Sequence, residues 1–258
     1  MSTLSPRQLR HEGILEILRM TGSATVIDLG ARMGVTEMTI RRDLEVLEVN
    51  GVLKRFHGGA KLAVGSSYEP PMAVREHTNV ALKRAIAAGV AGLVADGDTV
   101  ILDGGSTGIA IAEALLHHTI TVCPLSLRVA WVLARSTSVS LLLPPGSVRT
   151  GEMSLSGAGT TEYLRAHHFD RYIMTASGFS AAIGFTEWNI EDAAVKRAAL
   201  ASSTNTIAAI DSSKFDNAGF VRICDIEVPS SIVVDDQLDA AQLAMLRGVA
   251  RDIVEVRS

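Results

Sequence analysis

The sequence predicts a small helix-turn-helix module followed by a larger, mostly parallel α/β domain. Three observations predict it. Apolar residues recur at helical spacing through the first fifty positions, short apolar strands alternate with helices from Lys83 onward, and a stretch with Gly65-Ser66-Ser67 and Pro70-Pro71 lies between. The expected divisions are residues 1–60, a linker at 61–80 and residues 81–258.

In the first part, Ile14, Ile17 and Leu18 share one helix face, and Gly22 ends that helix. Thr25 is placed to cap a second helix carrying Val26, Leu29 and Met33 on one side. Gly34 makes the turn, Thr36 caps a third helix, and Ile40, Leu44 and Leu47 form its buried stripe. Asn50-Gly51 signals a turn, and 52–56 reads as a short strand pair. In the second part, helices are expected at Lys83–Leu93, Gly108–Leu116, Leu127–Ala134 and Glu191–Ser202. Strands are expected at Thr99–Leu102, Ile120–Cys123, Val139–Leu142, Arg171–Ala176, Thr206–Ile210 and Ser231–Val234. Ligands in such sheets bind at the carboxyl ends of strands.

Composition narrows the function classes. The 258 residues are 47% hydrophobic and 20% charged, so the chain folds rather than remaining disordered. No run of 18 apolar residues exists, and the N-terminal stretch lacks a secretory pattern. Two cysteines, Cys123 and Cys224, stand in no short motif, which points to free thiols in the reducing cytoplasm. The net charge of -4 is uneven: residues 1–62 hold 9 Lys+Arg against 7 Asp+Glu, leaving the remainder acidic. A mildly basic module on an acidic body suits an anionic partner.

Around the third helix, at about 100° per residue, Met38 and Arg42 fall opposite the buried stripe, with Thr39 beside them and Arg41 on the flank. Outward residues near the N-terminus of such a helix read base edges, and arginine offers a planar fork for guanine or phosphate. A solvated arginine pair tied to Asp43 and Glu45 is the plainer alternative. The basic run Lys54-Arg55-Phe56-His57-Gly58-Gly59 that follows suits a wing approaching a phosphate strand.

Two runs carry a specific likeness: 35–47 (VTEMTIRRDLEVL) and 51–60 (GVLKRFHGGA). With Asp96-Gly97-Asp98-Thr99-Val100-Ile101-Leu102-Asp103-Gly104-Gly105-Ser106-Thr107 and Asp211-Ser212-Ser213-Lys214-Phe215, the chain resembles the DeoR family of bacterial transcriptional regulators over nearly its whole length. The resemblance implies a winged helix-turn-helix joined to a sensor domain related to ribose-5-phosphate isomerase and CoA-transferase folds. It implies repression of sugar, polyol or nucleoside catabolic genes, response to a phosphorylated metabolite, and assembly as homodimers or homotetramers on double-stranded operator DNA. The expected DNA-binding residues are Thr36, Met38, Thr39, Arg41, Arg42, Lys54, Arg55, His57 and Gly58.

For the effector, Asp103, Gly104, Gly105, Ser106 and Thr107 sit between a strand and a helix. Exposed N–H groups, hydroxyls and a helix N-terminus make an anion cradle there. The same residues also suit a tight turn in which Asp103 ties down backbone. Ser126 is placed to line the same cleft, although the family more often has Thr-Asn-Ser where this chain has Pro124-Leu125-Ser126. Arg149, Gly178, Glu187, Asp211 and Lys214 complete the expected site, with Lys214 as the phosphate cation.

Other chemistries fit less well. Gly104-Gly105-Ser106-Thr107-Gly108 matches a nucleophile elbow, but downstream histidines occur only as the adjacent pairs His117-His118 and His167-His168. Those pairs lack metal-ligand spacing, and Gly157-Ala158-Gly159 lacks the third glycine of a dinucleotide fingerprint, so neither metal nor cofactor is expected. A sugar-phosphate isomerase using Asp211 or Glu187 as base is the alternative function.

Overall fold

The computed structural model describes residues 6–49, 53–56, 58–62, 69 and 72–257. The chain divides into two compact units, Met1–Thr78 and Asn79–Ser258.

The first unit contains α1 (Pro6–Thr21), β1 (Ser23–Thr25), α2 (Val26–Met33), α3 (Glu37–Val49), β2 (Leu53–Phe56), β3 (Gly59–Leu62) and α4 (Met72–His77). Ile14, Leu18, Val26, Leu29, Ile40, Leu44, Leu47, Leu53 and Ala60 close into one buried cluster. That cluster fixes α2 against α3, because the stripe on each helix has nowhere else to leave water. The expected caps are in place. Thr25 Oγ1 accepts from Asp28 N at 3.1 Å, Gly34 closes α2 at φ 64, and Thr36 Oγ1 accepts from Thr39 N at 3.4 Å.

Two expectations change here. Residues 53–56 form one strand rather than a strand pair, and its antiparallel partner is β3. β1 then pairs with β3, Ser23 opposite Lys61 and Thr25 opposite Gly59, so the sheet order is β1-β3-β2. The expected linker at 61–80 is partly structured, since β3 runs to Leu62 and α4 spans 72–77, with Arg75 Nη2 3.2 Å from Glu69 Oε1. The Asn50-Gly51 turn and both Gly65-Ser66-Ser67 and Pro70-Pro71 lie outside the described residues.

The second unit begins with α5 (Val80–Ala91), β4 (Thr99–Leu102), α6 (Gly105–Ala114), β5 (Thr121–Pro124), α7 (Leu127–Leu133) and β6 (Ser140–Leu141). A hairpin of β7 (Ser147–Arg149) and β8 (Ser154–Ser156) follows, then α8 (Ala158–Arg165) and β9 (Phe169–Met174). Next come β10 (Gly178–Ser180), β11 (Gly184–Glu187), α9 (Ile190–Ala201), β12 (Ser203–Ala209) and a single 3-10 turn at Ser212–Lys214. The unit ends with β13 (Val221–Cys224), β14 (Ser231–Asp235), α10 (Ala240–Val249) and β15 (Ile253–Val256).

Seven strands make one parallel sheet in the order β15-β14-β12-β9-β4-β5-β6. Alternate residues feed opposite faces. Ile101, Cys123, Tyr172 and Ala208 enter one core with Val195 and Ala199 of α9 and Leu164 of α8. Val100, Leu102, Val122 and Ile173 enter the other, with Ile86 and Val90 of α5, Ile111 of α6 and Val129 of α7. A parallel sheet covered on both faces, as expected, brings the carboxyl ends of β14, β12, β9, β4 and β5 to one edge.

Several local expectations shift. α6 starts at Gly105, three residues before the expected Gly108, so Gly105, Ser106 and Thr107 form its first turn rather than a loop. Arg149 lies in the β7–β8 hairpin, and Gly178 opens β10 of a second sheet, antiparallel in the order β10-β11-β13.

Candidate nucleic-acid interface and effector site

On α3 the geometry matches the helical-wheel expectation. Ile40, Leu44 and Leu47 are buried, while Met38 is 61% exposed and Arg41 and Arg42 are exposed. Thr36 is exposed and Thr39 half-buried, their hydroxyls 3.1 Å apart. The plainer alternative, an arginine pair neutralised by Asp43 and Glu45, does not form. Asp43 is buried and bound by Arg10 Nε at 2.5 Å, Arg10 Nη2 at 3.1 Å and His11 Nε2 at 3.0 Å, all from α1. Burial pushes its carboxyl up, but Arg10 and His11 outweigh that and hold it below the usual range. Glu45 is taken by Arg55. Arg41 keeps a loose contact with Glu37 at 3.5 Å, and Arg42 makes no ion pair among the described residues.

The basic strand is less free than its sequence suggests. Arg55 Nε donates to Glu48 Oε2 at 2.7 Å, its Nη1 to Glu45 Oε1 at 3.1 Å, and its backbone N to Glu48 Oε1 at 2.9 Å. Arg55 therefore staples β2 to α3. Lys54 is exposed, and Gly58 sits in the exposed turn, its carbonyl accepting from Val26 N at 2.8 Å. His57 lies outside the described residues.

In the second unit, the sheet edge presents Asp235, Asp211, Thr175, Asp103 and Ser126 in strand order. Asp103 is buried and saturated. It accepts from Gly104 N at 2.8 Å, Thr175 N at 3.0 Å, Thr175 Oγ1 at 2.9 Å and Lys196 Nζ at 2.9 Å. The tight-turn reading of Asp103 is thus the one realised, and its carboxylate consumes the Gly104 N–H. What remains of the cradle is the first turn of α6. Gly105 there has φ 78, a left-handed backbone that glycine adopts without strain, and α6 has no side-chain cap. Ser126 adjoins it: a Cβ on Gly104 would lie 3.1 Å from the Ser126 Cβ. Ser126 is buried and caps α7, its Oγ accepting from Arg128 N at 3.2 Å.

Glu187, expected in the effector site, is also internal. Its carboxylate accepts from Lys196 Nζ at 2.5 Å, from Trp188 N at 2.8 Å and from Ser177 Oγ. Burial pushes it up, and Lys196 with these donors pulls it below its ordinary value. Lys196, which the sequence groups with Glu187 and Glu191 in a charged cluster but leaves out of the expected site in favour of Lys214, is 5% exposed and bridges both carboxylates and the Thr175 carbonyl at 2.9 Å. Burial lowers its pKa, and the two carboxylates more than reverse that. Arg149 is engaged by Asp192 at 2.6 Å and Ser154 Oγ at 3.3 Å. Gly178 packs against the Asn217 carbonyl, where a Cβ would come within 2.4 Å.

Asp211 and Lys214 make a separate polar group. Asp211 is buried and accepts from Ser213 N at 3.1 Å, Ser213 Oγ and Asn79 Nδ2 at 3.2 Å. Burial raises its pKa, but Lys214, Ser213, Lys83 and Asn79 together bring it below the ordinary aspartate value. The Lys214 ammonium lies 5.5 Å from the Trp188 ring centroid, at cation–π distance. Ser212 N donates to Asp235 Oδ2 at 2.7 Å beside it.

No hydrolase site is assembled. His167 bonds the Tyr163 carbonyl and His168 the Thr204 hydroxyl, so among the described residues neither is hydrogen-bonded to Ser106. Among the described residues, no three of His, Cys, Asp and Glu converge on a metal position, and no helix is long and apolar enough to cross a membrane. Burial pushes the Cys123 and Cys224 thiols up to about 12.

A helix-turn-helix with a seated, outward-facing third helix, followed by a parallel α/β unit with polar groups along one sheet edge, defines a DNA-binding regulator with a sensor domain. Residues 10–64 match the DeoR-like helix-turn-helix domain and residues 78–236 the DeoR C terminal sensor domain, so the chain belongs to the DeoR family of transcriptional regulators. The HTH-type transcriptional regulator YulB of Bacillus subtilis is 33% identical over 237 residues, covering 92% of each chain. The glycerol-3-phosphate regulon repressor of Escherichia coli K12 is 30% identical over 88% of this chain and 90% of its own. A lactose phosphotransferase system repressor of Staphylococcus epidermidis is 28% identical over 88% of this chain and 91% of its own. These relatives are named as regulators, which sets the isomerase and hydrolase readings aside. Ribose 5-phosphate isomerase A of Methanocaldococcus jannaschii is similar at TM-score 0.41 and 16% identity, over 54% of this chain and 56% of that one. A likeness at that level bears on neither ligand nor activity.

Proposed function

We propose that this regulator represses genes of carbohydrate or polyol catabolism in the cytoplasm, bound to a two-fold operator as a homodimer or homotetramer. A phosphorylated sugar or polyol then releases it. The observation that carries the reading is Arg42. It is exposed opposite the buried stripe of α3, and the nearby carboxylates that would neutralise it, Asp43 and Glu45, are held by Arg10, His11 and Arg55. Met38, Thr39 and Arg42 then read bases, while Thr36, Arg41, Lys54, Arg55, His57 and Gly58 track the backbone. In the sensor unit, the first turn of α6 (Gly105, Ser106, Thr107) and Lys214 take the phosphate. Asp103, Gly104, Ser126, Arg149, Gly178, Glu187 and Asp211 shape the edge around it. The names of the glycerol-3-phosphate and lactose phosphotransferase repressors favour that ligand class.

Fluorescence anisotropy with a duplex enriched by the wild-type chain tests the DNA half. Arg42→Ala should cost about 1–3 kcal/mol of specific binding, roughly 5- to 150-fold, with unchanged thermal unfolding. Unchanged affinity would show that α3 does not read sequence through this residue. A thermal-shift screen of phosphorylated sugars and polyols tests the sensor half. A ligand at a hundred times its Kd adds about 2.7 kcal/mol of stability. A screen in which no phosphate ester raises the melting temperature removes the effector class.

A further inference from the structure

Asn79 is the N-cap of α5, a position where an asparagine side chain ordinarily accepts from an N–H of the first helical turn. Here it makes no such bond, and the backbone stands at φ 53, ψ 39 in the left-handed region. Its amide points elsewhere: Nδ2 donates to Asp211 Oδ1 at 3.2 Å, across 132 residues of sequence. A capping bond is forgone and a sparsely populated backbone conformation accepted, so the contact to Asp211 is what this side chain is held for. Two further facts give the contact meaning. Asn79 is the first residue of the sensor unit, directly following the DNA-binding unit in the chain. Its acceptor is the carboxylate on which Lys83 and Lys214 both act.

We propose that Asn79 is the positioning residue through which anion binding at the Asp211–Lys214 group reaches the DNA-binding unit. The proposal rests on the reading of this sheet edge as the effector site. An anion arriving at Lys214 competes with Asp211 for the ammonium. The carboxylate, with one cation drawn off, reorients, and the Asn79 amide loses its acceptor. Nothing then offsets the left-handed backbone at the residue that joins the two units, and the start of α5 relaxes. Asparagine suits the role because it tolerates that backbone and carries an amide donor at the same time.

The test needs no effector. Asn79→Gly keeps a residue that adopts φ 53 freely and removes only the amide; Asp211→Ala removes the acceptor. Anisotropy with the enriched duplex, on protein shown folded by its thermal transition, gives operator affinities for wild type, both single variants and the double variant. Asn79→Gly should bind the operator at least about fivefold more weakly, the lower end of usual coupling between sites. Asp211→Ala should lose a similar factor, and the double variant no more than either. A role confined to stability would lower the melting temperature and leave the affinity of the folded protein unchanged. Wild-type affinity for Asn79→Gly, or single-variant losses that multiply in the double, overturns the proposal. If wild type shows no preference for the enriched duplex over a scrambled one, the repressor reading fails as well. Sensitivity of DNA binding to Arg42→Ala but not to Asn79→Gly sinks this proposal alone.

Discussion

Lys196→Met is the sharpest test of how the sensor edge is held together. The ammonium is buried and contacts Glu187 Oε2 at 2.5 Å, Asp103 Oδ2 at 2.9 Å and the Thr175 carbonyl at 2.9 Å. Methionine fills most of the volume but leaves two carboxylates buried without a cation. Removing one partner of a buried ion pair costs about 3–5 kcal/mol, because the remaining charge is stranded away from water. At roughly 2–4 °C per kcal/mol for a unit of this size, the melting temperature should fall by about 6–20 °C at pH 7.5. The pH dependence separates this from simple loss of packing. In wild type, Glu187 lies below its ordinary 4.5, so its contribution is complete above that value and is lost only as pH falls through the lowered one. Lys196 is raised, so its contribution is lost only far into the alkaline range. Wild type is therefore flat in these groups between pH 7.5 and 5.5. In the variant Glu187, buried without Lys196, is raised above its unfolded value, so the folded state gains stability as pH falls through that window. Scanning calorimetry at both pH values should show the deficit narrowing at pH 5.5, and Glu187→Gln added to Lys196→Met should recover part of it. A melting temperature within 4 °C of wild type at pH 7.5, or a deficit that widens at pH 5.5, would refute the reasoning.

The remaining expectations concern the two surfaces. Arg55→Ala should weaken binding to all duplexes alike and flatten the slope of log K against log salt by about one unit. An unchanged slope would confine Arg55 to its staple onto Glu45 and Glu48. Lys214→Ala should weaken operator binding toward the Asn79→Gly value, because Asp211 loses the same cation, and the remaining complex should require roughly 10- to 100-fold more of the releasing phosphate ester, the worth of a charge-assisted contact. Release at the wild-type concentration would place the phosphate elsewhere.

Legibility in the sequence followed locality. α2 and α3 were readable because their caps, Thr25 and Thr36, and the i, i+4, i+7 stripe of Ile40, Leu44 and Leu47 lie within a few residues of one another. β4 and β5 were readable as short apolar runs. β1 was not: Ser23–Thr25 carries no strand pattern and becomes a strand only by pairing with residues 59–61. The same holds for β10, β11 and β13, which join Gly178, Gly184 and Cys224 neighbourhoods by antiparallel pairing with a register shift after Phe185. At the candidate site, the sequence singled out Asp103, Glu187, Asp211 and Lys214 as expectations but not who holds whom. Lys196 reads as a member of a charged cluster with Glu187 and Glu191, but its bridge between Asp103 and Glu187 appears only when α9 turns it onto both. Asn79 lies before the expected start of its helix, and its partner Asp211 is 132 residues away in sequence.

Those pairings decide where along the edge an anion fits. Around Asp103, two buried carboxylates share one lysine, and every donor found there already serves a carboxylate or a backbone carbonyl. A phosphate entering that group would meet negative charge with no donor to spare, so Asp103 and Glu187 serve as scaffold. Around Asp211, one carboxylate faces two lysines, and the Lys214 ammonium sits against the edge of solvent over Trp188. An anion there meets the two lysines that act on Asp211, and whatever it takes from Asp211 it takes from Asn79 as well. The uncapped first turn of α6 supplies N–H donors two strands away, the width of β9 and β4, or roughly 10 Å at the usual strand spacing. On the proposed reading, a phosphorylated sugar or polyol lies along the edge and meets both.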